Sequence, residues 1–207
     1  MTNAILELVP YVALVIGLHR LIYGDCLEAI KKQQRPVDLT FLDPPFNQGR
    51  SYRCHNDSMP ADEYWAWMEE ICGEVHSRTR EGGAVYFLQR EKNLPGVASI
   101  LSKTGWTLRN FIVWRKTTAG PSHGMCFSRR YQVLTYAIKG SQPNTFHRLR
   151  IDPPLPANYK SPRPKGVIVD DVWDDIRELT SGYFAGKEPV RNLDGSRFHL
   201  QQVPVHL

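Results

Sequence analysis

The chain has 207 residues, of which 42% are hydrophobic, 11% aromatic and 23% charged. This composition suits one globular unit with a substantial core and excludes an intrinsically disordered or low-complexity protein. The net charge of +5, from 26 basic and 21 acidic side chains, is compatible with a polyanionic partner but is weak evidence for one.

Four cysteines lie at positions 26, 54, 72 and 126. None of their spacings matches a C-x-x-C pair or a metal site, so we predict no metal centre. The pattern indicates reduced thiols in a cytoplasmic protein, where cysteines act most simply as small buried hydrophobes.

The N-terminal region predicts an extension over residues 1–20, followed by a strand and a helix. Residues 11–18 are apolar, but this stretch is too short to span a bilayer and lacks the basic start of a signal peptide, so we expect no membrane contact. We predict a helix or strand packed on the domain there. Residues 21–23 then form a short apolar strand, and Asp25 follows the Gly24 turn as a candidate N-cap for a helix over residues 27–32.

Residues 37–46 are the most informative stretch of the chain. Their apolar side chains predict a strand buried in a sheet covered on both faces, which Pro44 and Pro45 then end. The Asp43 carboxylate and the Pro44 carbonyl could accept both hydrogens of an exocyclic amine on a nucleobase and push its nitrogen toward a tetrahedral geometry. Phe46 could stack on a base extruded from the duplex.

A simpler interpretation is that a strand ends at an acid and a turn, as in many proteins. The chain contains its own comparison, because residues 152–154 repeat Asp-Pro-Pro without a buried strand before them or an aromatic residue after them. We interpret this second copy as a loop.

The following elements alternate between helix and strand. Helical periodicity predicts α-helices at Ala61–Arg78 and Leu94–Lys103, with Trp65 and Trp67 packing in the core. Strands are predicted at residues 82–87, 108–114 and 131–138, the last two as an antiparallel pair joined by a polar loop over 117–130. Residues 140–169 show no helical or strand period and are rich in proline and basic residues. We predict an insertion whose basic side chains contact phosphates, with a solvated Pro-rich loop as the alternative.

In order and spacing, these segments resemble the beta-group DNA methyltransferases, the permuted adenine-N6 and cytosine-N4 enzymes. Asp43 to Phe46 looks like their catalytic tetrapeptide, and similar residues continue through 47–52, 63–68, 110–116 and 170–173 to the His-x-x-Gln-x-Pro segment at 199–204. The resemblance implies an α/β fold with a Rossmann-like class I methyltransferase sheet. It also implies S-adenosyl-L-methionine as cofactor and double-stranded DNA as substrate.

The resemblance assigns roles to individual residues. Catalysis would depend on Asp43, Pro44, Pro45 and Phe46, and the cofactor would contact Asp25, Asp43 and Gln202. For Asp25, N-capping is an almost equal alternative, and a solvated loop residue is the favoured interpretation of His123. The expected DNA contacts are Arg50, Tyr52, Arg53, His123, Arg148, Arg150, Lys160, Arg163 and Lys165. For Arg50 and Arg53, a solvated charge is an equal alternative.

One motif of that family is not found in the sequence. A Gly-rich turn that follows a strand and wraps S-adenosyl-L-methionine is absent, since Gly82-Gly83 precedes a strand instead. We therefore expect a partial class I sheet, with the cofactor-binding half supplied by a second polypeptide. The organisation would be a catalytic half-domain over residues 21–139, a target-recognition insertion over 140–172 and a C-terminal segment over 173–207 leading to the missing half.

The sequence thus predicts a subunit of a split DNA methyltransferase that flips a base and methylates its exocyclic amine without a metal. The resemblance implies adenine N6 as the target, because Asp stands at the first position of the tetrapeptide. Cytosine N4 remains an alternative, as do a non-catalytic DNA-targeting subunit and an inactive truncated remnant.

Overall fold

The computed structural model describes residues 19–50, 55–117, 119–120, 124–151 and 165–176, together with the backbone of 11–16. Its elements are β1 (Tyr11–Ile16), β2 (His19–Gly24), α1 (Cys26–Lys31), β3 (Val37–Leu42), α2 (Ala61–Arg78), β4 (Thr79–Gln89), a 3-10 turn (Glu91–Asn93), α3 (Leu94–Lys103), β5 (Trp106–Arg115), β6 (Tyr131–Lys139), β7 (Arg150–Ile151), β8 (Val167–Ile168) and β9 (Val172–Trp173).

The fold is α/β, and its main sheet has five strands in the order β3-β4-β6-β5-β9. Strands β3 and β4 are parallel, with Leu39 opposite Ala84 and Leu42 opposite Phe87. The predicted helices α2 and α3 are confirmed with the same bounds. The three strands predicted after residue 80 are confirmed as β4, β5 and β6, and β5 and β6 are neighbours as expected.

Two small sheets accompany the main one. Strand β1 pairs with β2 in antiparallel register, so the apolar N-terminal stretch contains a strand, one of the two predicted possibilities. In the Pro-rich region, Arg150 pairs with Ile168 and Ile151 with Val167. The prediction of no strand there was wrong, because two residues on each side suffice for a short antiparallel pairing that carries no detectable sequence period.

The chain divides into two compact units, one within residues 1–110 and 135–147 and the other within 111–134 and 148–207. The first unit contains a hydrophobic cluster in which α2 and α3 pack on β4. Its fully or nearly fully buried members are Tyr64, Met68, Ile71, Cys72, Val75, Val85, Phe87, Val97, Ile100, Leu101, Trp106 and Ala137. Trp65 and Trp67 pack against this cluster, which confirms their predicted structural role.

Strand β3 is not covered on both faces, although its apolar run alone predicts that it is. None of its six residues is fully buried, and the Leu39 side chain is 44% exposed. The cause is its position at the end of the strand order, where, within the described part of the chain, β4 is its one neighbour. A strand with an unpaired side and partly uncovered faces invites pairing with another segment.

The cysteines match their prediction in part. Cys72 is buried in the core, and burial raises the pKa of its thiol to about 12. Cys26 and Cys126 are exposed, so the prediction of a buried hydrophobe was wrong for both, because each lies on a short or loop segment outside the main core. Cys54 lies outside the described residues. Among the described helices, none is long and apolar enough to cross a membrane.

Candidate active site

The tetrapeptide of residues 43–46, called the DPPF turn below, directly follows β3 at its carboxyl end. This is the end at which open α/β sheets place their ligands. The Asp43 side chain is exposed, Pro44 and Pro45 are half-buried, and the Phe46 side chain is only 6% exposed. A base could therefore stack on the Phe46 ring only after a neighbouring segment moves.

Side chains from α2 and from the 3-10 turn donate hydrogen bonds to the backbone of the DPPF turn. The hydroxyl of Tyr64, on the first turn of α2, donates to the carbonyl of Pro45 at 2.8 Å. The Nε2 group of Gln89, at the end of β4, donates to the Tyr64 oxygen at 2.8 Å. Asn93 donates from Nδ2 to the Phe46 carbonyl at 3.3 Å. These three side chains form what we call the turn clamp.

Tyr64 is the buried member that links the turn clamp to the core. Its side chain is 1% exposed, and burial raises the pKa of its hydroxyl well above the ordinary value, with the Gln89 hydrogen bond opposing that shift. The hydroxyl therefore stays protonated and remains a donor to Pro45 at every working pH. The clamp uses the carbonyls of Pro45 and Phe46, so the Pro44 carbonyl takes no part in it.

The loop that follows, residues 47–50, is also tied down. Asp57, which is 2% exposed, accepts hydrogen bonds on its carboxylate from the backbone N–H groups of Asn47, Gln48 and Arg50 at 2.8, 3.1 and 2.9 Å. The Gln48 side chain in turn accepts from Arg90 at 2.8 Å. The loop thus continues the fixed backbone of the DPPF turn.

Asp25 adopts the capping alternative. Its Oδ1 atom accepts from the backbone N–H of Glu28 at 3.0 Å, which makes it the N-cap of α1. A contact between Asp25 and a cofactor stays a prediction, as does the contact expected from Gln202, which lies outside the described residues.

The predicted DNA contacts are distributed over both units. Arg50 belongs to the first unit and is exposed just after the DPPF turn. Arg148, Arg150 and Lys165 are exposed in the second unit, on or beside the short β7–β8 pairing. The remaining candidates lie outside the described residues; they are Tyr52, Arg53, His123, Lys160 and Arg163.

A polar cavity of about 190 Å³ lies within the second unit. Two of its arginines are already engaged within it, because Arg115 pairs with Asp174 at 3.0 Å and Arg130 donates to the carbonyls of Lys116 and Thr117. Sites for drug-sized ligands are usually larger, from roughly 300 Å³ upward. We therefore do not assign the cofactor to this cavity.

Sequence reasoning missed the roles of the residues that position the turn and its loop, which are Tyr64, Gln89, Arg90, Asn93 and Asp57. The sequence places Tyr64 in the apolar stripe of α2 and in the family-like segment 63–68, but indicates no contact with the turn. A usable signal was present in Gln89, a polar residue that directly follows the apolar run of residues 84–88 and is fully buried in the structure. Buried polar groups of this kind require partners.

Comparison with known proteins gives consistent results. A family model described as DNA methylase, for N6 and N4 methyltransferases, matches residues 37–207. The DNA adenine methyltransferase YhdJ of Escherichia coli K12 is 25% identical over 183 residues, covering 79% of this chain and 60% of that protein. The type II methyltransferase M.BamHI of Bacillus amyloliquefaciens is 31% identical over 193 residues, covering 84% of this chain and 43% of that protein.

Among solved structures, a modification methylase of Thermus thermophilus, TTHA0409, complexed with S-adenosyl-L-methionine, matches with a TM-score of 0.44 and 15% identity. The match covers 74% of this chain and 67% of that one. In sequence, the chain spans about half the length of the curated relatives it matches.

Replacing Tyr64 by Phe should test the turn clamp. The substitution keeps the ring in the core but leaves the Gln89 amide and the Pro45 carbonyl without this partner, which should lower the free energy of unfolding by about 1–3 kcal/mol. Urea unfolding followed by circular dichroism measures the change. Tyr23→Phe is the matched control, because Tyr23 is 73% exposed and its hydroxyl should contribute little. Equal stability of both variants would contradict the clamp.

Proposed function

Because the chain belongs to the N6/N4 DNA methylase family, we propose that it is the catalytic and target-recognition part of a DNA methyltransferase acting on an exocyclic amine, with adenine N6 as the target. The observation that carries the proposal is that the backbone of the DPPF turn is fixed while its Asp43 side chain is exposed. Its backbone is held from the protein side through Pro45 and Phe46. The Asp43 side chain is exposed at the carboxyl end of β3.

This arrangement suits the chemistry of an amine that is a poor nucleophile. The nitrogen lone pair of an exocyclic amine is delocalised into the ring, so the amine must be held before it can attack. The Asp43 carboxylate and the Pro44 carbonyl would each accept one amine hydrogen and favour a tetrahedral nitrogen. The two prolines and the turn clamp keep these acceptors in place, so the acceptors themselves need little reorganisation when a flipped base arrives. The segment that covers Phe46 would still have to move before the base stacks on that ring.

S-adenosyl-L-methionine is the proposed cofactor, and when bound it supplies an electrophilic methyl group to the amine nitrogen. Asp43 follows the carboxyl end of β3, where its side chain would face both the base and that methyl group. The partly exposed faces of β3 are compatible with a cofactor-binding segment beside it, since Leu39 is 44% exposed. Asp25 already caps α1, so any further contact would use the part of its carboxylate that Glu28 does not occupy.

The choice of adenine rests on two supports. Asp43 stands at the first position of the tetrapeptide, where the resemblance favours adenine N6 over cytosine N4. The E. coli relative, at 25% identity, is named a DNA adenine methyltransferase.

We further propose that a second polypeptide supplies the Gly-rich, cofactor-wrapping half. Within the described residues, β3 pairs on one side only, and an added strand would cover the exposed edge. The same surface would then place the cofactor next to Asp43.

The proposed DNA-binding surface of the second unit includes Arg148, Arg150 and Lys165, whose exposed side chains suit phosphate contacts. The Arg150 guanidinium donates to the Gly166 carbonyl at 3.2 Å, which links the two sides of the β7–β8 pairing near these charges.

Methyl transfer from labelled S-adenosyl-L-methionine to unmethylated DNA should occur when the chain is mixed with the product of the adjacent reading frame. In that mixture, Asp43→Ala should lower kcat by about 10²–10³-fold, because one acceptor for the amine is lost. Asp38→Ala is the matched control, since Asp38 lies on the same strand with a 68% exposed side chain that pairs with Arg80. Full activity of Asp43→Ala would place the catalytic centre elsewhere. Transfer by the chain alone would refute the need for a second polypeptide.

Charge removal in the second unit should weaken DNA binding in a salt-dependent way. Arg148→Gln or Lys165→Gln should each reduce the slope of log K against log salt by about 1, because each removes one phosphate contact. Fluorescence anisotropy with a labelled duplex over a range of salt concentrations measures this slope. Lys103→Gln in α3, whose exposed ammonium pairs with Glu69, should leave it unchanged. If all variants have the same slope as the wild type, Arg148 and Lys165 do not contact DNA phosphates.

A further inference from the structure

Asp57 is a carboxylate in an unusual position for a surface loop. Its residue is 2% exposed, and three backbone N–H groups point at its two oxygens: Asn47 at Oδ1, and Gln48 and Arg50 at Oδ2. A fourth hydrogen bond runs from the Gly49 N–H to the Asp57 carbonyl at 2.7 Å. Asp57 therefore accepts a hydrogen bond from every backbone N–H group of residues 47–50.

The local backbone is bent to make this convergence possible. Asn47 has φ of +51° and Gly49 has φ of +77°, both in the left-handed region, and the alternation turns successive N–H groups toward one point. The Asn47 side chain adds a reciprocal pair of bonds with Met59, since Nδ2 donates to its carbonyl and Oδ1 accepts from its N–H, both at 2.8 Å. An Asn at positive φ is uncommon and persists where its surroundings require it.

We propose that Asp57 is a positioning residue that holds loop 47–50 in a single conformation against the DPPF turn. The inference rests on the proposed function of that turn. Asn47 is bonded directly to Phe46, so any freedom in the loop would be transmitted to the turn. The same loop carries Gln48, which accepts from Arg90, and the exposed Arg50.

A carboxylate suits this role better than an amide of the same size. An ionised Asp accepts at both oxygens and donates nothing, so all three N–H groups can be satisfied at once. An Asn in the same place would aim an NH₂ donor at one or more of these N–H groups. Charge-assisted bonds to backbone N–H are also about twice as strong as neutral ones.

Hydrogen exchange resolved by residue tests the structural part of the proposal. In the full chain, Asp57→Asn should speed exchange of the Asn47, Gln48 and Arg50 amides by at least about tenfold, as expected when a buried N–H loses its acceptor. The amides of α2 should keep their protection. Asp38→Asn removes an equal charge from an exposed site in the same unit and should change none of these rates.

Kinetics of the assembled enzyme test the functional part. Asp57→Asn should lower kcat by about 10–100-fold, because a small displacement of the turn misplaces the amine. The KM for S-adenosyl-L-methionine should stay unchanged. General destabilisation would not lower kcat while leaving this KM unchanged. Asp38→Asn should match the wild type in both.

A second variant covers the case in which Asp57→Asn unfolds. Gly49→Ala leaves the carboxylate in place, and its added Cβ would meet Ser58 Oγ at an ordinary 3.4 Å, but its φ of +77° is strained for Ala. Faster exchange of the loop amides together with a lower kcat is the expected result. Loop amides that remain protected in both variants, or a kcat that stays unchanged when they are exposed, would overturn the proposal. If the wild-type mixture transfers no methyl group, the proposed function fails, while the exchange rates still decide whether Asp57 orders the loop.

Discussion

The hydrogen bond from the Tyr64 hydroxyl to the Pro45 carbonyl is the contact on which the candidate site depends. A carboxylate at a strand end becomes a useful acceptor for an amine only if its backbone has one position. Tyr64 provides that position because its ring is locked in the core and its oxygen is held by Gln89. The position of the DPPF turn therefore depends on the packing of α2 on β4 in the core.

Local sequence patterns predicted the parts of the fold that local forces determine. The α2 and α3 bounds followed from helical periodicity, and the strands after residue 80 followed from short apolar runs. The capping role of Asp25 was likewise visible, because a cap depends on a residue three positions away. The DPPF turn itself was identified from four residues and the apolar strand before them.

Contacts between distant residues were not predictable in the same way. Tyr64 and Pro45 are 19 residues apart, and Tyr64 and Gln89 are 25 apart, so neither bond leaves a trace in a window of helical or strand length. The exposure of β3 was expected only from the missing Gly-rich motif, which predicts a partial sheet, because the apolar run by itself predicts burial on both faces. An apolar strand has the same sequence pattern whether or not a second strand of the described chain lies beside it. Only the sheet order shows that β4 is the one described partner of β3.

The central claim is that the DPPF turn presents acceptors to an exocyclic amine of a DNA base. The most direct measurement is mass spectrometry of nucleosides from DNA incubated with the chain, the product of the adjacent reading frame and S-adenosyl-L-methionine. N6-methyladenine is the predicted product, and its formation should depend on Asp43. N4-methylcytosine would support transfer to an exocyclic amine but would show that the target base is cytosine. In contrast, 5-methylcytosine, in which the methyl group is bonded to carbon, would contradict the account.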